Sequence, residues 1–517
     1  MINIINNSNK NLLKDFIKLN DSKYFRYYDK RNTDIIKNHL ITIILTDNDN
    51  NIIGYSHIDN VNDINWFGIC ILDKYKGNGY GTKCINYMID YINKNNIKNV
   101  KLSVDIENYI AVKLYLKYKF YIKEIHNTYY IMEYKQNIEL PVSMGEGLDK
   151  LTILDIKMKK IKDHRKNDVE HEFNLLNTRL EKYKNEYIFY YNILLEINKN
   201  IWDMQDKFRD SSDTDKQNKL CIEIIRENDN RFRVKKKINN ISKSNIKEQK
   251  GYNLKTAFVL THLGLGDNIT SIGAVRYLST CYDKVYVVCK EQCKKNIELF
   301  YSDDETIQLY PVKDDSEISP QFGFNYSKFK KITKNMDLYI AGGHCLTKNP
   351  EPYDDLPFNF YKDMNIDISC FWKYFHVPTL KQSKELFNLI QNIDKYIFIH
   401  NTASTGNIFS IESIEKHLDF SKNDILTINP CINVYDKKDK FYTIAEKFLN
   451  HPLSYYNDII TNADNVVMTD SSFFCLAIQL SLKSKKIYMK SRDNRDYSHL
   501  NNKPNNKPNN KPNIINI

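Results

Sequence analysis

Through the first 135 residues, short β-type runs alternate with segments whose apolar residues have helical spacing. Residues 40–45, 51–58 and 65–72 have the composition of consecutive antiparallel strands, and Asp- and Asn-rich turns join them. The remaining segments predict a helix, a strand, a second helix and two closing strands, at residues 81–95, 98–104, 108–118, 120–125 and 129–134. This order predicts a mixed α/β domain over residues 1–136.

The middle segment, residues 150–250, has a different periodicity. Its apolar residues step by four and three as a heptad seam formed by Leu176, Leu180, Tyr183, Tyr187, Tyr190, Leu194, Ile197, Ile201, Met204 and Phe208. Such a seam requires a partner helix. The polar break at residues 210–218 can turn the chain towards a second apolar stripe, so an α-helical hairpin and a dimeric coiled coil fit equally well. We interpret the segment as a spacer that positions or oligomerises its neighbours.

From residue 255 onward, buried-strand runs alternate with loops and helical stretches. These runs are residues 255–264, 284–290, 336–343, 395–401 and 465–470. Alternation of this kind indicates βαβ units and parallel sheets. We expect two such half-domains with a cleft between them over residues 251–497, followed by a disordered tail of NNKP repeats over residues 498–517.

Composition places the chain among globular proteins, with 42% hydrophobic and 27% charged residues. No run approaches the ~18 uncharged apolar residues of a membrane span, and the N-terminus lacks the order of a secretory signal. The 10 cysteines are scattered without a CxxC pair. We therefore expect no metal, no disulfide framework and a reducing, cytoplasmic compartment, which for a viral chain is the host cytoplasm or the virion.

The net charge of +11 is regional. Residues 231–250 hold eight basic side chains against Glu248 alone, and three lysines lie in the tail. Phe232 is the one aromatic residue in the basic run, whereas stacking on nucleic-acid bases requires several. A basic helix end or a solvated face is the favoured interpretation, and nucleic acid is not an expected partner.

The sharpest local signal is a glycine-rich loop between a strand and a helix. It consists of Lys76, Gly77, Asn78, Gly79, Tyr80, Gly81 and Thr82. Glycine lets the backbone turn tightly and approach an anion, and the first N–H groups of the following helix favour phosphate. Taken alone, the loop is compatible with a plain turn.

A second motif downstream adds context to this loop. It consists of Asn108, Ala111, Leu114, Tyr115, Lys117 and Phe120. Together the two motifs, in this order of elements, resemble the GNAT family of acetyl-CoA-dependent N-acetyltransferases over residues 1–135. Lys76 stands where that family usually has Arg or Gln, and Lys119 stands where it usually has Gly.

The resemblance implies acetyl-CoA as the acetyl donor and a role for each matched position. The amides from Gly77 to Thr82 would hold the pyrophosphate, and the Ile71–Leu72 strand edge would pair with the pantetheine arm. Asn108 would contact the pantetheine region, and Tyr115 would protonate the leaving thiolate. No general base is evident, and the nearby His57 is better explained as a core or solvated histidine.

Two further polar turns lie in the C-terminal half. Gly264, Gly266 and Asp267 follow one strand, and Asp470, Ser471 and Ser472 follow another and precede an apolar helix. These turns resemble the motifs of GT-B glycosyltransferases of the heptosyltransferase type (glycosyltransferase family nine). Gly273 replaces that family's Pro, Ser472 its Gly and Cys475 its His. The resemblance implies that Asp267 activates an acceptor hydroxyl and that residues 470–472 lie under a donor diphosphate.

The sequence thus predicts an α/β multidomain protein: a GNAT mixed α/β sheet, a central helical hairpin or coiled coil, and GT-B-like twin Rossmann lobes. The preferred function is bifunctional glycan biosynthesis, with N-acetylation of an amino sugar, nucleotide-linked, and sugar transfer or binding by the C-terminal lobes. One alternative is acetylation of a protein N-terminus, a polyamine or another amine beside a non-catalytic C-terminal module. Another is an oligomeric scaffold or glycan-binding protein that self-associates through the central helices.

Overall fold

The computed structural model describes most of the chain. The described residues are 2–5, 10–135, 140–251, 253–261, 264–314, 317, 333–342, 357–403, 406–492, 494–502 and 510–517. The chain divides into two compact units, Met1–Leu140 and Pro141–Ile517. The helical segment that we expected to be a separate linker therefore belongs to the same unit as the C-terminal sheets.

The N-terminal unit is built on one seven-stranded sheet. Its strands are β1 (Ile2–Ile4), β2 (His39–Thr46), β3 (Ile52–Val61), β4 (Ile64–Ile71), β5 (Val100–Asp105), β6 (Phe120–Ile125) and β7 (Tyr129–Tyr134). Their order is β1-β2-β3-β4-β5-β7-β6. The helices of this unit are α1 (Lys10–Leu19), α2 (Tyr80–Lys94) and α3 (Tyr109–Lys117), with short 3₁₀ turns at Thr33–Asn38 and Asp73–Tyr75.

Alternating side chains of the central strands cover the two faces of this sheet. On β2, Ile43 shares a core with Met88 of α2, whereas the next residue, Ile44, shares a core with Phe16 of α1. This is the two-residue period expected of a strand that is buried on both faces. The predicted mixed α/β sheet is confirmed in this unit.

Strands β4 and β5 are the one parallel pair of the sheet, and they separate soon after they meet. Their ladder consists of Asn65 with Val100 and Trp66 with Lys101. Beyond Trp66, β4 continues to Ile71 while paired only with β3 among the described residues. The separation leaves an unpaired strand edge beside the loop that begins at Lys76.

The C-terminal unit begins with four helices, α4 (Met144–Lys160), α5 (Lys166–Glu186), α6 (Ile188–Asp210) and α7 (Thr214–Ile241). On α6, Tyr190, Leu194 and Ile197 are buried in one core with residues of α4 and α7. The Asp149 carboxylate of α4 accepts from the Arg231 Nε of α7 at 2.9 Å. The helices that cover the predicted seam therefore belong to this chain, and the seam requires no second copy.

Two sheets, both parallel throughout, follow these helices. The first has the order β10-β9-β8-β11, and the second has the order β15-β12-β16-β17-β18. Their strands are β8 (Thr256–Leu260), β9 (Lys284–Lys290), β10 (Ile307–Val312), β11 (Asp337–Ile340), β12 (Tyr396–His400), β15 (Leu426–Ile428), β16 (Asn465–Met468), β17 (Lys486–Met489) and β18 (Asn513–Asn516). The short strands β13 (Thr402–Ala403) and β14 (Gly406–Asn407) pair with each other. Further α/β sheets are thus present, whereas their GT-B identity stays a prediction.

Short helices complete the C-terminal unit. They are α8 (Leu265–Thr270), α9 (Ile272–Cys281), α10 (Glu291–Phe300), α11 (Phe358–Asp363), α12 (Ser369–Lys373), α13 (Lys381–Asn388), α14 (Ile411–Leu418), α15 (Tyr442–Ala445), α16 (Asn457–Asn462), α17 (Ser472–Ala477) and α18 (His499–Asn502). Two 3₁₀ turns span Glu446–Phe448 and Leu453–Tyr456. Among the described residues, none of the helices has the length and apolar content to cross a bilayer.

The expected disorder of residues 498–517 is wrong for the part of this tail that the structure describes. Residues His499–Asn502 form α18, and Asn513–Asn516 form β18, which pairs with β17. Ile514 is buried in the core of the unit. The apolar residues after the last repeat therefore anchor the tail, while residues 503–509 lie outside the described residues.

Candidate functional site

A cavity of about 730 Å³ lies where β4 and β5 separate in the N-terminal unit. Its walls are the unpaired edge of β4, the end of β5, the glycine-rich loop and the first residues of α3. The sequence positions that line it are far apart, from Ser22 to Tyr115. The fold therefore brings both N-terminal motifs to one cavity.

The glycine-rich loop depends on two left-handed residues. Gly77 has φ of 80° and Gly79, the N-cap of α2, has φ of 78°. A Cβ at either position would meet nothing within 4 Å, so the requirement for glycine is conformational and not one of space. The loop and the N-terminus of α2 line the cavity, where unpaired helix N–H groups favour a phosphate.

Most of the predicted cofactor-binding positions line this cavity. They are Ile71, Lys76, Gly77, Gly79, Tyr80, Gly81 and Asn108. Three others do not line it: Leu72 is buried in the apolar core, Asn78 donates to the Tyr75 carbonyl at 3.3 Å, and Thr82 lies within α2. The Lys76 side chain is ion-paired with Asp73, and the Asn108 side chain accepts from the Ala111 N–H at 3.4 Å as the N-cap of α3.

The predicted acid, Tyr115, is held in the wall of the cavity. Its ring packs edge-on against Phe67 at 6.2 Å and in a tilted arrangement against Phe120 at 5.7 Å, and the residue is 6% exposed. Burial raises the pKa of the Tyr115 phenol above its ordinary value. The hydroxyl is therefore protonated at neutral pH and available as a hydrogen-bond donor.

Two polar side chains of β3 also line the cavity. His57 is 2% exposed and Asp59 is 3% exposed. One Asp59 oxygen, Oδ2, accepts from the Tyr27 hydroxyl at 2.6 Å, and that hydroxyl lies 2.7 Å from His39 Nε2. In the part of the chain that the structure describes, His57 Nδ1 and Asp59 Oδ1 have no hydrogen-bond partner.

The two histidines of this cluster are neutral at pH 7. Burial lowers the pKa of His39 to about 4 and holds the pKa of His57 well below its usual value. The His57 ring passes over Gly68 of β4, where a Cβ would lie 2.2 Å from His57 Cε1. His57 is thus a core residue at the wall of the cavity. Gly68 on β4 is the feature of the sequence that leaves room for its ring.

The candidate positions of the C-terminal unit also meet, although their polar groups already have partners. A Cβ on Gly266 would lie 3.3 Å from Cys475 Sγ and 3.8 Å from Ser472 Cα, so α8 packs on α17. The Asp267 carboxylate, predicted to activate an acceptor hydroxyl, accepts from the Gly264 N–H at 3.2 Å. Asp267 therefore caps α8, and its proposed catalytic role stays a prediction.

Asp470 and Ser471 lie at the carboxyl end of β16. Asp470 accepts from the Arg492 backbone N–H at 2.9 Å and from Arg492 Nε at 3.0 Å. The Ser471 hydroxyl lies 3.0 Å from Nδ1 of His400, which ends the adjacent strand β12. Burial lowers the pKa of His400 to about 4. His400 and Arg492 were not predicted as site residues, because both lie far from residues 470–472 along the chain.

Comparison with known proteins bears on the N-terminal unit. Residues 10–120 match the model of the acetyltransferase (GNAT) family. No curated protein sequence matches the chain. Among solved structures, a spermidine N-acetyltransferase chimera from Vibrio cholerae is 18% identical, with a TM-score of 0.22 over 26% of this chain and 95% of that chain.

Two other solved structures match a similar share of the chain. A GNAT-family acetyltransferase from Streptococcus pneumoniae is 20% identical, with a TM-score of 0.23 over 26% of this chain and 99% of that chain. The ribosomal-protein-S18-alanine N-acetyltransferase from Escherichia coli is 16% identical, with a TM-score of 0.23 over 28% of this chain and 99% of that chain. The family match and the two motifs on the cavity identify the N-terminal domain as a GNAT acetyltransferase domain.

Proposed function

We propose that the N-terminal domain transfers the acetyl group of acetyl-CoA to the amino group of a small molecule. We propose further that this molecule is a nucleotide-linked amino sugar. One observation carries the proposal. A single cavity contains the glycine-rich loop and the unpaired β4 edge as well as Tyr115 and the polar pair His57 and Asp59. It therefore offers a phosphate-binding end, a strand edge and an amine-binding end in one space.

The residues at the phosphate-binding end suit acetyl-CoA. The amides after Gly77 and Gly79 and the dipole of α2 favour a diphosphate, and the unpaired β4 edge up to Ile71 offers backbone groups to an extended amide chain. Acetyl-CoA supplies a thioester carbonyl that accepts a nucleophile. The amine nitrogen forms the new C–N bond, the C–S bond breaks, and one proton passes to the released thiolate.

The high pKa of Tyr115 defines what this residue contributes. A thiol has an ordinary pKa near 8.5, so proton transfer from a phenol with a raised pKa to a free thiolate is uphill. A hydrogen bond from the hydroxyl to the sulfur as negative charge develops on it is favourable at any pH below the phenol pKa. Tyr115 acts in this proposal as that donor, and solvent supplies the final proton.

Substitution of Gly79 tests the donor site. Gly79→Val places a β-branched residue at φ of 78°, which costs about 1–3 kcal/mol in the loop, so the affinity for acetyl-CoA should fall at least tenfold. Asn78→Ala is the matched control, because Asn78 lies in the same loop but does not line the cavity. Calorimetry measures acetyl-CoA binding, and mass spectrometry identifies the acetylated product in a panel of amino sugars, amino-sugar nucleotides, polyamines and peptides.

Each result of this experiment has a consequence. Loss of both binding and product in Gly79→Val, with Tyr115→Phe slowing turnover about 10–100-fold, supports the proposal. A full-length protein that takes up no acetyl-CoA contradicts it and leaves the scaffold or glycan-binding alternative. Acetylation confined to polyamines or protein N-termini would retain the acetyltransferase and overturn the amino-sugar substrate.

A second proposed function concerns the C-terminal unit, which we infer either to transfer a sugar or to bind a sugar or a nucleotide. The contact of Gly266 with Ser472 and Cys475 supports it, because in that contact the first turns of two helices, each of which follows a parallel strand, lie side by side. Ligands of parallel α/β sheets bind at that edge.

A further inference from the structure

The amine-binding end of the N-terminal cavity contains polar atoms that the fold itself leaves unsatisfied. His57 Nδ1 and Asp59 Oδ1 lack hydrogen-bond partners among the described residues, although both side chains are at least nine-tenths buried. Leaving such a group unpaired costs about 1–3 kcal/mol, and more when it is charged. Both residues line the cavity, so a ligand that enters it lies beside both groups.

The surrounding side chains determine which ligand suits these two atoms. Tyr27 donates to Asp59 Oδ2 at 2.6 Å and therefore fixes the carboxylate with its second oxygen, Oδ1, unoccupied. Burial holds the pKa of His57 well below its usual value, so its ring is neutral and has one nitrogen that accepts. A carboxylate oxygen and a neutral imidazole both accept hydrogen bonds, and a protonated amine is the common group that donates several.

A side chain of opposite charge also contacts the Tyr27 ring. The guanidinium of Arg31 lies over that ring at 4.5 Å from its centroid, and Arg31 lines the cavity. No carboxylate of the described residues lies within 4.0 Å of Arg31, whereas Arg26, which also lines the cavity, pairs with Asp105 at 2.9 Å. An exposed arginine without an acidic partner favours a phosphate or a carboxylate.

We propose that this end of the cavity selects acceptors that carry both an amine and an anionic group. This proposal rests on the proposed acetyl transfer and deepens it. Asp59 and His57 bind the ammonium, and Arg31 binds a phosphate or carboxylate of the same molecule. A polyamine places a second cation near Arg31 and is disfavoured by like-charge repulsion.

The same residues account for the proton of the bound ammonium. The ammonium gives one proton through the Asp59 carboxylate to solvent, and the nitrogen lone pair that results attacks the thioester carbonyl. The second proton leaves the nitrogen as the C–S bond breaks and is balanced by protonation of the thiolate. The net products are the amide, the free thiol and one proton.

Two pairs of acceptor probes test the selection with the full-length protein. Glucosamine 6-phosphate is compared with glucosamine, and 6-aminohexanoate is compared with 1,6-diaminohexane, which has the same length and a cation in place of the anion. We expect the anionic member of each pair to have the higher kcat/KM by about tenfold, the value of one good charge-assisted contact. The two pairs also separate phosphate from carboxylate as the preferred anion.

Substitutions assign this preference to residues. Arg31→Gln should bring the ratio of kcat/KM values within each pair close to one, mainly by raising the KM of the anionic member. Lys30→Gln should preserve this ratio, because Lys30 is exposed and does not line the cavity. Asp59→Asn should lower kcat/KM about 100-fold for all four amines, while Asp63→Asn, in the exposed turn after β3, should not. Acetyl-CoA affinity, measured by calorimetry, should be the same in all four variants.

The possible outcomes separate this proposal from the proposed function. If the diamine is the better acceptor, or if Arg31→Gln leaves both ratios unchanged, the selection is overturned although acetyl transfer stands. If acetyl-CoA is not bound at all, the proposed function fails first. If acetyl-CoA binds and none of the four amines is acetylated, NMR titration measures how tightly the amines bind. Tighter binding of glucosamine 6-phosphate than of glucosamine, if Arg31→Gln abolishes the difference, supports the proposal. Equal binding of the two amines overturns it.

Discussion

His57 shows how a residue acquires a role from neighbours that are distant in the chain. The imidazole contacts Tyr27 at 4.1 Å and His39 at 4.8 Å between ring centroids, and it passes over Gly68. For this histidine the sequence leaves a core and a solvated position open, and the structure has the buried one. Its position at the wall of the cavity depends on the absence of a side chain at residue 68, on the next strand.

Gly68→Ala tests this arrangement. The new Cβ would lie 2.2 Å from His57 Cε1, so the ring must move, at a cost of about 1–3 kcal/mol in stability. We expect kcat to fall while acetyl-CoA binding, measured by calorimetry, is retained. Introducing the same change into His57→Ala supplies the control: little additional loss in the double variant indicates an effect through His57, and an additive loss contradicts it.

At the scale of elements, a buried ion pair connects the four helices that begin the C-terminal unit to its first sheet. Lys237 of α7 is ion-paired with Asp304, which follows α10, at 2.6 Å, and both side chains are at most 2% exposed. The Ser279 hydroxyl of α9 donates to the same carboxylate at 3.0 Å. These contacts join the helical segment to the first sheet of the C-terminal unit.

Lys237→Met should destabilise this unit by about 3–5 kcal/mol, because the Asp304 carboxylate would remain buried without its cation. Lys236→Met is the matched control, since the neighbouring side chain is only partly buried and its loss should change stability by less than about 0.5 kcal/mol. Urea denaturation followed by circular dichroism measures both. A second change, Asp304→Leu, should recover part of the loss, and equal effects of the two lysine variants would refute the argument.

At the scale of the whole molecule, the chain is two compact units with separate cores, Met1–Leu140 and Pro141–Ile517. Each unit contains one candidate ligand site: the cavity between β4 and β5, and the turns at Gly266 and Ser472. Because each site is built from residues of one unit only, binding at either should stabilise that unit alone.

Calorimetry of the full-length protein should therefore resolve two unfolding transitions. Acetyl-CoA at about 100 times its Kd should stabilise one unit by about 2.7 kcal/mol, and a nucleotide sugar such as UDP-glucose should shift only the other. Gly79→Val should abolish the first shift, and Gly266→Val, which forces a larger group against Cys475, should abolish the second. A nucleotide-sugar panel without any shift would count against the second proposed function.

Much of the fold was accessible from the pattern of the chain. The alternation over residues 40–72 predicted β2, β3 and β4, because each of these strands is an apolar run bounded by turn residues. The loop at Gly77 and Gly79 was recognisable because left-handed backbone favours glycine whatever surrounds it. Such local preferences depend on neighbouring residues in the sequence and not on contacts with distant segments.

Tertiary structure alone decided which polar groups have partners. Asp267 and Asp470 follow strands as predicted, yet packing engages the first with Gly264 and the second with Arg492. Asp59, which no motif marked, has one oxygen without a partner among the described residues, because Tyr27, 32 residues away, donates only to the other one. Whether a polar side chain is free to bind a ligand depends on segments that come into contact only when the chain is folded. The periodicity of the sequence contains no information about those contacts.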